Sequence, residues 1–129
     1  MKHRCFQNIR LIAFASILLG LWGCASIQTA PTPEDDIQGI WKSAGSVAVY
    51  KIKMVDGGMT VEGRSSHSGN TLQISDVSWD GAILKFTSHM PSTQFTVYHE
   101  NRMVDRETMT SSTSATGGAT HTVTWEKVK

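Results

Sequence analysis

The side chains able to do chemistry in this 129-residue chain are few and poorly grouped. Its two cysteines, Cys5 and Cys24, both stand near the N-terminus, and the remaining 105 residues contain none. A disulfide framework is therefore excluded for the body, as is a cysteine-based zinc site, which needs thiolates at close spacing. His67, His89, His99 and His121 are scattered with no H-x-H or H-E-x-x-H pattern, so no metal is expected. His99 and Glu100 are neighbours, and neighbours in a strand point to opposite faces and cannot ligate together. Asp56, Asp76 and Asp80 sit beside turn signals, where Asp is expected for its hydrogen bonds to backbone. There is no G-x-S-x-G elbow, no S-x-x-K set and no phosphate loop. The expectation is a protein that binds and does not catalyse.

Cys24 has a more definite context. Lys2, Arg4 and Arg10 precede an uncharged run of 13 residues, Leu11 to Gly23, which ends against it. This is the layout of an export signal, and the run is shorter than the roughly 20 residues a helix needs to cross a bilayer core. Leu21-Trp22-Gly23-Cys24 resembles the lipobox of bacterial lipoprotein signal peptides. Leu21 holds the apolar position three before the cysteine, Gly23 the small position next to it, and Trp22 lies between, so these three would be read by the signal peptidase. The resemblance implies cleavage before Cys24, a diacylglycerol thioether on its thiol and an N-acyl chain such as palmitate on the new amino terminus. Buried acyl chains contribute about 0.8 kcal/mol per CH₂, and more than one chain is needed for lasting attachment to a membrane. Ala25 rather than Asp at the second mature position points, within that family, to the periplasmic face of the outer membrane in a Gram-negative envelope. An ordinary cleaved signal and an uncleaved anchor are the alternatives the residues themselves leave open.

Three regions follow: a signal peptide (1–23), a lipidated flexible tether (24–36) and one domain (37–129). The segment Ala25 to Asp36, "ASIQTAPTPEDD", is too polar to order itself and its prolines keep it extended. It would reach at most about 40 Å. Losing Lys2, Arg4 and Arg10 from the 12 basic residues leaves nine against 11 acidic, a net charge of −2. No nucleic-acid partner is expected of such a chain.

From Ile37 onward turn signals recur at "DGG", "HSGN", "WDG", "MPS", "HEN" and "TGG", and the segments between are rich in Val, Ile, Thr, Tyr, Phe and Trp. Short strands at such spacing predict an all-β fold, antiparallel and up-and-down. Eight strands are expected: 39–42, 47–54, 59–64, 71–77, 82–88, 94–99, 102–111 and 120–128. Asp80-Gly81 reads as a type I′ hairpin turn. Eight strands in about 90 residues expose long edges unless the sheet closes, so a closed or nearly closed small barrel is expected. Lys51, Lys53, Glu62 and Lys85 fall on outward faces, which argues against a barrel spanning lipid.

Gly39-Ile40-Trp41 opens the first strand and resembles the G-x-W with which lipocalins and related calycin barrels begin. The resemblance is to the small lipocalin-like β-domains of bacterial lipoproteins. It implies that Trp41 plugs one end of the barrel and that a basic residue of the last strand, Lys127 or Lys129, covers it. Trp41, Trp79, Phe86, Phe95 and Trp125 are the candidates for lining a ligand cavity or the core. The Thr-rich stretch Thr108 to Thr124 reads as a solvent-facing hairpin. The leading expectation is a lipid-anchored envelope protein that binds a small apolar ligand or serves structurally. The runner-up is a protein-interaction module, an inhibitor or accessory subunit of an envelope enzyme or machine. A cavity walled by Trp and Phe would favour the first, an exposed apolar patch over a filled core the second, and two ionisable groups converging in a cleft an enzyme.

Overall fold

A computed structural model describes residues 32–129. Leu21, Trp22, Gly23 and Cys24, with the tether as far as residue 31, lie outside the described residues. The described chain is a short helix, α1 (Pro33–Ile37), followed by eight strands: β1 (Gly39–Ser43), β2 (Ala48–Val55), β3 (Gly58–Ser65), β4 (Thr71–Trp79), β5 (Ile83–Met90), β6 (Phe95–Met103), β7 (Thr108–Ala115) and β8 (Thr120–Lys127). Each strand pairs antiparallel with the next, and β1 pairs with β8, so the meander closes into a barrel. Closure leaves the sheet without edges, and alternation puts one set of side chains inside. On β2 Tyr50 and Ile52 are buried while Lys51 and Lys53 are exposed; on β3 Val61 and Ser65 are buried while Glu62 and Arg64 are exposed.

Four local readings of the sequence are corrected by the structure. Residues 33–36 are not extended tether but helix, because Thr32 and Asp35 form a capping box: the Thr32 hydroxyl accepts from the Asp35 amide and the Asp35 carboxylate accepts from the Thr32 amide. "HEN" is not a turn. β6 runs through it, with His99 and Asn101 buried inside the barrel, and the chain reverses instead at 104–107. Asp80-Gly81 is not type I′, since only Gly81 has a positive φ (93°); the Asp80 carboxylate instead accepts from the Ala82 and Ile83 amides at 2.9 and 2.7 Å. The two-residue turn with both φ angles positive is Asp56-Gly57 (50° and 77°), between the paired Val55 and Gly58. Asp76 is within β4, at φ 54°, where the register against β5 shifts as a bulge.

The seam between β3 and β4 is paired only at Gly63↔Leu72 and Arg64↔Thr71. Gly63 lets the strands approach there: a Cβ on it would stand 2.9 Å from Leu72 Cδ1, 3.0 Å from Leu72 Cβ and 3.2 Å from Ile74 Cδ1.

Candidate functional site

The two ends of the barrel are built differently. At one end α1 lies across the opening, with Ile37 and Trp41 both wholly buried. The last carbonyls of a helix lack intrahelical partners, and here two receive donors from the barrel. Trp41 Nε1 donates to the Ile37 carbonyl at 2.8 Å, and Lys127 Nζ donates to the Asp36 carbonyl. The same ammonium stands 5.0 Å from the centroid of the Trp41 ring, a cation–π distance. Gln38 Oε1 accepts from the Met54 amide, and Trp79 Nε1 donates to Glu34 Oε1 at 3.3 Å. A backbone hydrogen bond, and secondarily the Trp79 indole, hold the Glu34 carboxyl below its ordinary range. This end is sealed.

The opposite end, carrying the β1–β2, β3–β4, β5–β6 and β7–β8 connections, opens on a cavity of about 370 Å³. Val47, Ala48, Met90, Phe95, Val97 and Val123 form much of its wall, and Trp125 and Leu72 lie deeper. The volume falls within the range of small-molecule sites, and the apolar wall with a few polar groups is their usual composition.

The most deeply buried of those polar groups are Tyr50, Ser88 and His99, each at least 95% buried and supplied by β2, β5 and β6. Ser88 Oγ lies 2.9 Å from His99 Nε2; Tyr50 Oη donates to Ser88 Oγ at 3.3 Å and stands 3.4 Å from His99 Nε2. Their positions follow from register: Ser88 faces Val97 across β5–β6, two residues from the Phe86↔His99 pair. Aromatic packing fixes the rings. Tyr50 stacks on Trp125 at 4.7 Å and an interplanar angle of 6°, and His99 stacks on Phe86 at 4.5 Å and 19°.

Burial disfavours charge on both ionisable members. Desolvation pushes the His99 imidazole down to about 4 and raises the Tyr50 phenol. Both are neutral near pH 7. His99 Nδ1 has no hydrogen-bond partner among the described residues, nor do Asn101 Oδ1 and Ser111 Oγ, which face one another across β6–β7. Asn101 is tied on its other side, Nδ2 donating to the Leu84 carbonyl at 3.2 Å.

Of the aromatic candidates, Phe95 and Trp125 line the cavity, Phe95 at the rim with 56% of its surface exposed. Trp41 is in the sealed end, Phe86 is in the core behind His99, and Trp79 is half-buried against α1. Tyr50, Ser88 and His99 escaped the sequence reading as a group. They are 38 and 11 residues apart, and only barrel closure with its register brings them together. His67, His89 and His121 stay apart from them; among the described residues no cluster of His, Cys, Asp or Glu could hold a metal. Among the described residues no helix is long and apolar enough to cross a membrane.

No protein-family model matches the chain, and comparisons with curated proteins and with solved structures return no match. The eight-stranded antiparallel closed barrel, plugged at one end by a buried Trp beneath a Lys of the last strand, is consistent with a calycin-like fold.

Proposed function

We propose that this protein is a lipid-anchored bacterial envelope lipoprotein whose lipocalin-like barrel binds a small, mainly apolar molecule through its open end and performs no covalent chemistry. The observation that carries the binding reading is the asymmetry of the barrel: one end sealed by α1 and Trp41, the other opening on about 370 Å³ of mainly apolar space. The anchor reading rests on Leu21-Trp22-Gly23-Cys24 behind the 13-residue apolar run. The Lys127 ammonium over the Trp41 ring supports the calycin-like reading of the barrel.

Ser88 and His99 have the separation of a nucleophile and its base. The rest of that chemistry is wanting in the described residues. No carboxylate orients His99 Nδ1, and an imidazole pushed down to about 4 is a weak base at neutral pH. The three groups therefore serve as hydrogen-bonding partners.

Two measurements test the reading. Labelled palmitate should enter the wild type and not Cys24→Ala, and label in both would remove the anchor. The neutral dye 1-aminoanthracene should gain emission on binding the wild type and lose that gain with Val97→Trp, which fills the cavity. Equal emission from both proteins would remove the pocket.

A further inference from the structure

Resting on the ligand-binding reading above, we propose that the pocket selects an uncharged molecule bearing one hydrogen-bonding oxygen, which docks on Ser88, Tyr50 and His99 while its apolar body lies against Trp125, Val97 and Val123.

Charge is the first ground. Among the described residues no acidic side chain, lysine or arginine lines the cavity. A carboxylate or ammonium carried inside would lose its hydration with no counter-ion to replace it, and an isolated buried charge is far more costly than a buried hydroxyl. Protonating His99 to supply a counter-ion would mean charging an imidazole packed among Phe86, Tyr50 and Trp125.

The second ground is the inventory of hydrogen-bonding groups. Ser43 Oγ donates to the Ala44 carbonyl and Thr113 Oγ1 to the His121 carbonyl, so both spend their protons on backbone; Ser46 Oγ accepts from the Ala48 amide and, being only half-buried, is not part of the buried floor. At the floor the count does not close. With hydrogen on His99 Nε2, Ser88 Oγ accepts from both Tyr50 and His99 and its own proton is uncommitted. With hydrogen on Nδ1, Ser88 donates to Nε2 and the Tyr50 oxygen accepts nothing. Each tautomer leaves at least one group of the trio open to an oxygen of the ligand, besides His99 Nδ1, which is without a partner among the described residues in both. In native proteins at large, most buried polar groups have a hydrogen-bond partner.

The test uses three ring-matched probes, naphthalene, 2-naphthol and 2-naphthoate, with the full-length protein in lipid nanodiscs at pH 7. 2-Naphthol is uncharged there, as a phenol titrates near 10. Calorimetric titrations of Val97→Trp in the same discs give the partitioning into lipid to be subtracted. Expected are binding of 2-naphthol about fivefold tighter than naphthalene, the effect of one net hydrogen bond, and binding of 2-naphthoate at least tenfold weaker than 2-naphthol. Ser88→Ala and Tyr50→Phe should each shrink the ratio of 2-naphthol to naphthalene affinity. Tyr50→Phe keeps the ring stack on Trp125, so loss of fold does not explain its effect. Binding of 2-naphthoate as tight as 2-naphthol, or an advantage that survives both variants, overturns the proposal while naphthalene binding leaves the pocket standing. Failure of all three probes to bind overturns both.

Discussion

The His99 imidazole lies over the Phe86 ring with centroids 4.5 Å apart and planes inclined by 19°. A titratable base is thus part of the aromatic core, only 4% exposed, and desolvation sets its pKa at about 4. The sign of the resulting pH dependence follows directly. An unfolded chain carries this imidazole near 6.5, so between about 6.5 and 4 the unfolded state binds more protons and gains on the folded one. Stability is fully present above the higher value and is lost as pH falls toward the lower. Urea unfolding should show the domain roughly 2–3 kcal/mol less stable at pH 4.5 than at pH 7. His99→Gln should flatten that part of the profile. A wild-type profile already flat over this range would mean that His99 titrates like an exposed residue.

Two glycines are required for different reasons, and substitution separates them. Gly57 has φ 77° and no atom within 4 Å of the place a methyl group would take, so its cost is conformational alone. Gly57→Ala should lose about 1 kcal/mol and Gly57→Asn less, because Asn tolerates the left-handed region. Gly63 is limited by space, with Leu72 Cβ and Cδ1 at 3.0 and 2.9 Å. Gly63→Ala and Gly63→Asn should both destabilise, by about 1–3 kcal/mol as overpacking does. Denaturant midpoints of the four variants decide it; equal losses at both glycines for Asn would contradict the distinction.

Lys127 and Lys129 end the same strand region and should behave unlike each other. Lys127 donates to the Asp36 carbonyl and covers Trp41, whereas Lys129 meets Glu107 at 3.2 Å with both side chains mostly exposed. Lys127→Met, which keeps the apolar stem, should cost about 1–2 kcal/mol from the lost helix-end and ring interactions. Lys129→Met should cost less than about 0.5 kcal/mol, as exposed pairs do. Thermal unfolding measures both, and an equal response would deny Lys127 its place in the plug.

Ser88 should be inert as a nucleophile. Incubation with a fluorophosphonate at pH 7 should leave the intact mass unchanged, while a stoichiometric adduct on Ser88 would establish the activated serine that the unoriented His99 argues against.

The strands were legible because turn residues punctuate a β-branched, aromatic chain at short intervals, and barrel closure followed from edges that cannot be left open. Elsewhere side-chain polarity misled. "HEN" has the composition of a turn, yet His99 and Asn101 are inward-facing barrel residues, so polarity marked the interior polar wall and not a reversal. The helix α1 was written in Thr32-Pro33-Glu34-Asp35, a capping-box spacing with Pro at the first turn, but its five residues carry too little periodicity to stand out. Asp56-Gly57 and Asp80-Gly81 are identical dipeptides, and only the pairing of Val55 with Gly58 made the first a two-residue turn. The trio of Tyr50, Ser88 and His99 had no linear signature, since three strands and their register create it.

Binding through the open end is tested most directly by locating where a small apolar molecule enters the barrel. Backbone amide shifts of the isotope-labelled protein on addition of naphthalene would locate it. The expected result is movement around Ser46, Met90, Phe95 and Val123 at the open end, with Trp41 and Val104 at the sealed end unmoved. Shifts confined to the sealed end or to the outer face of the strands, or no shifts at all, would contradict it.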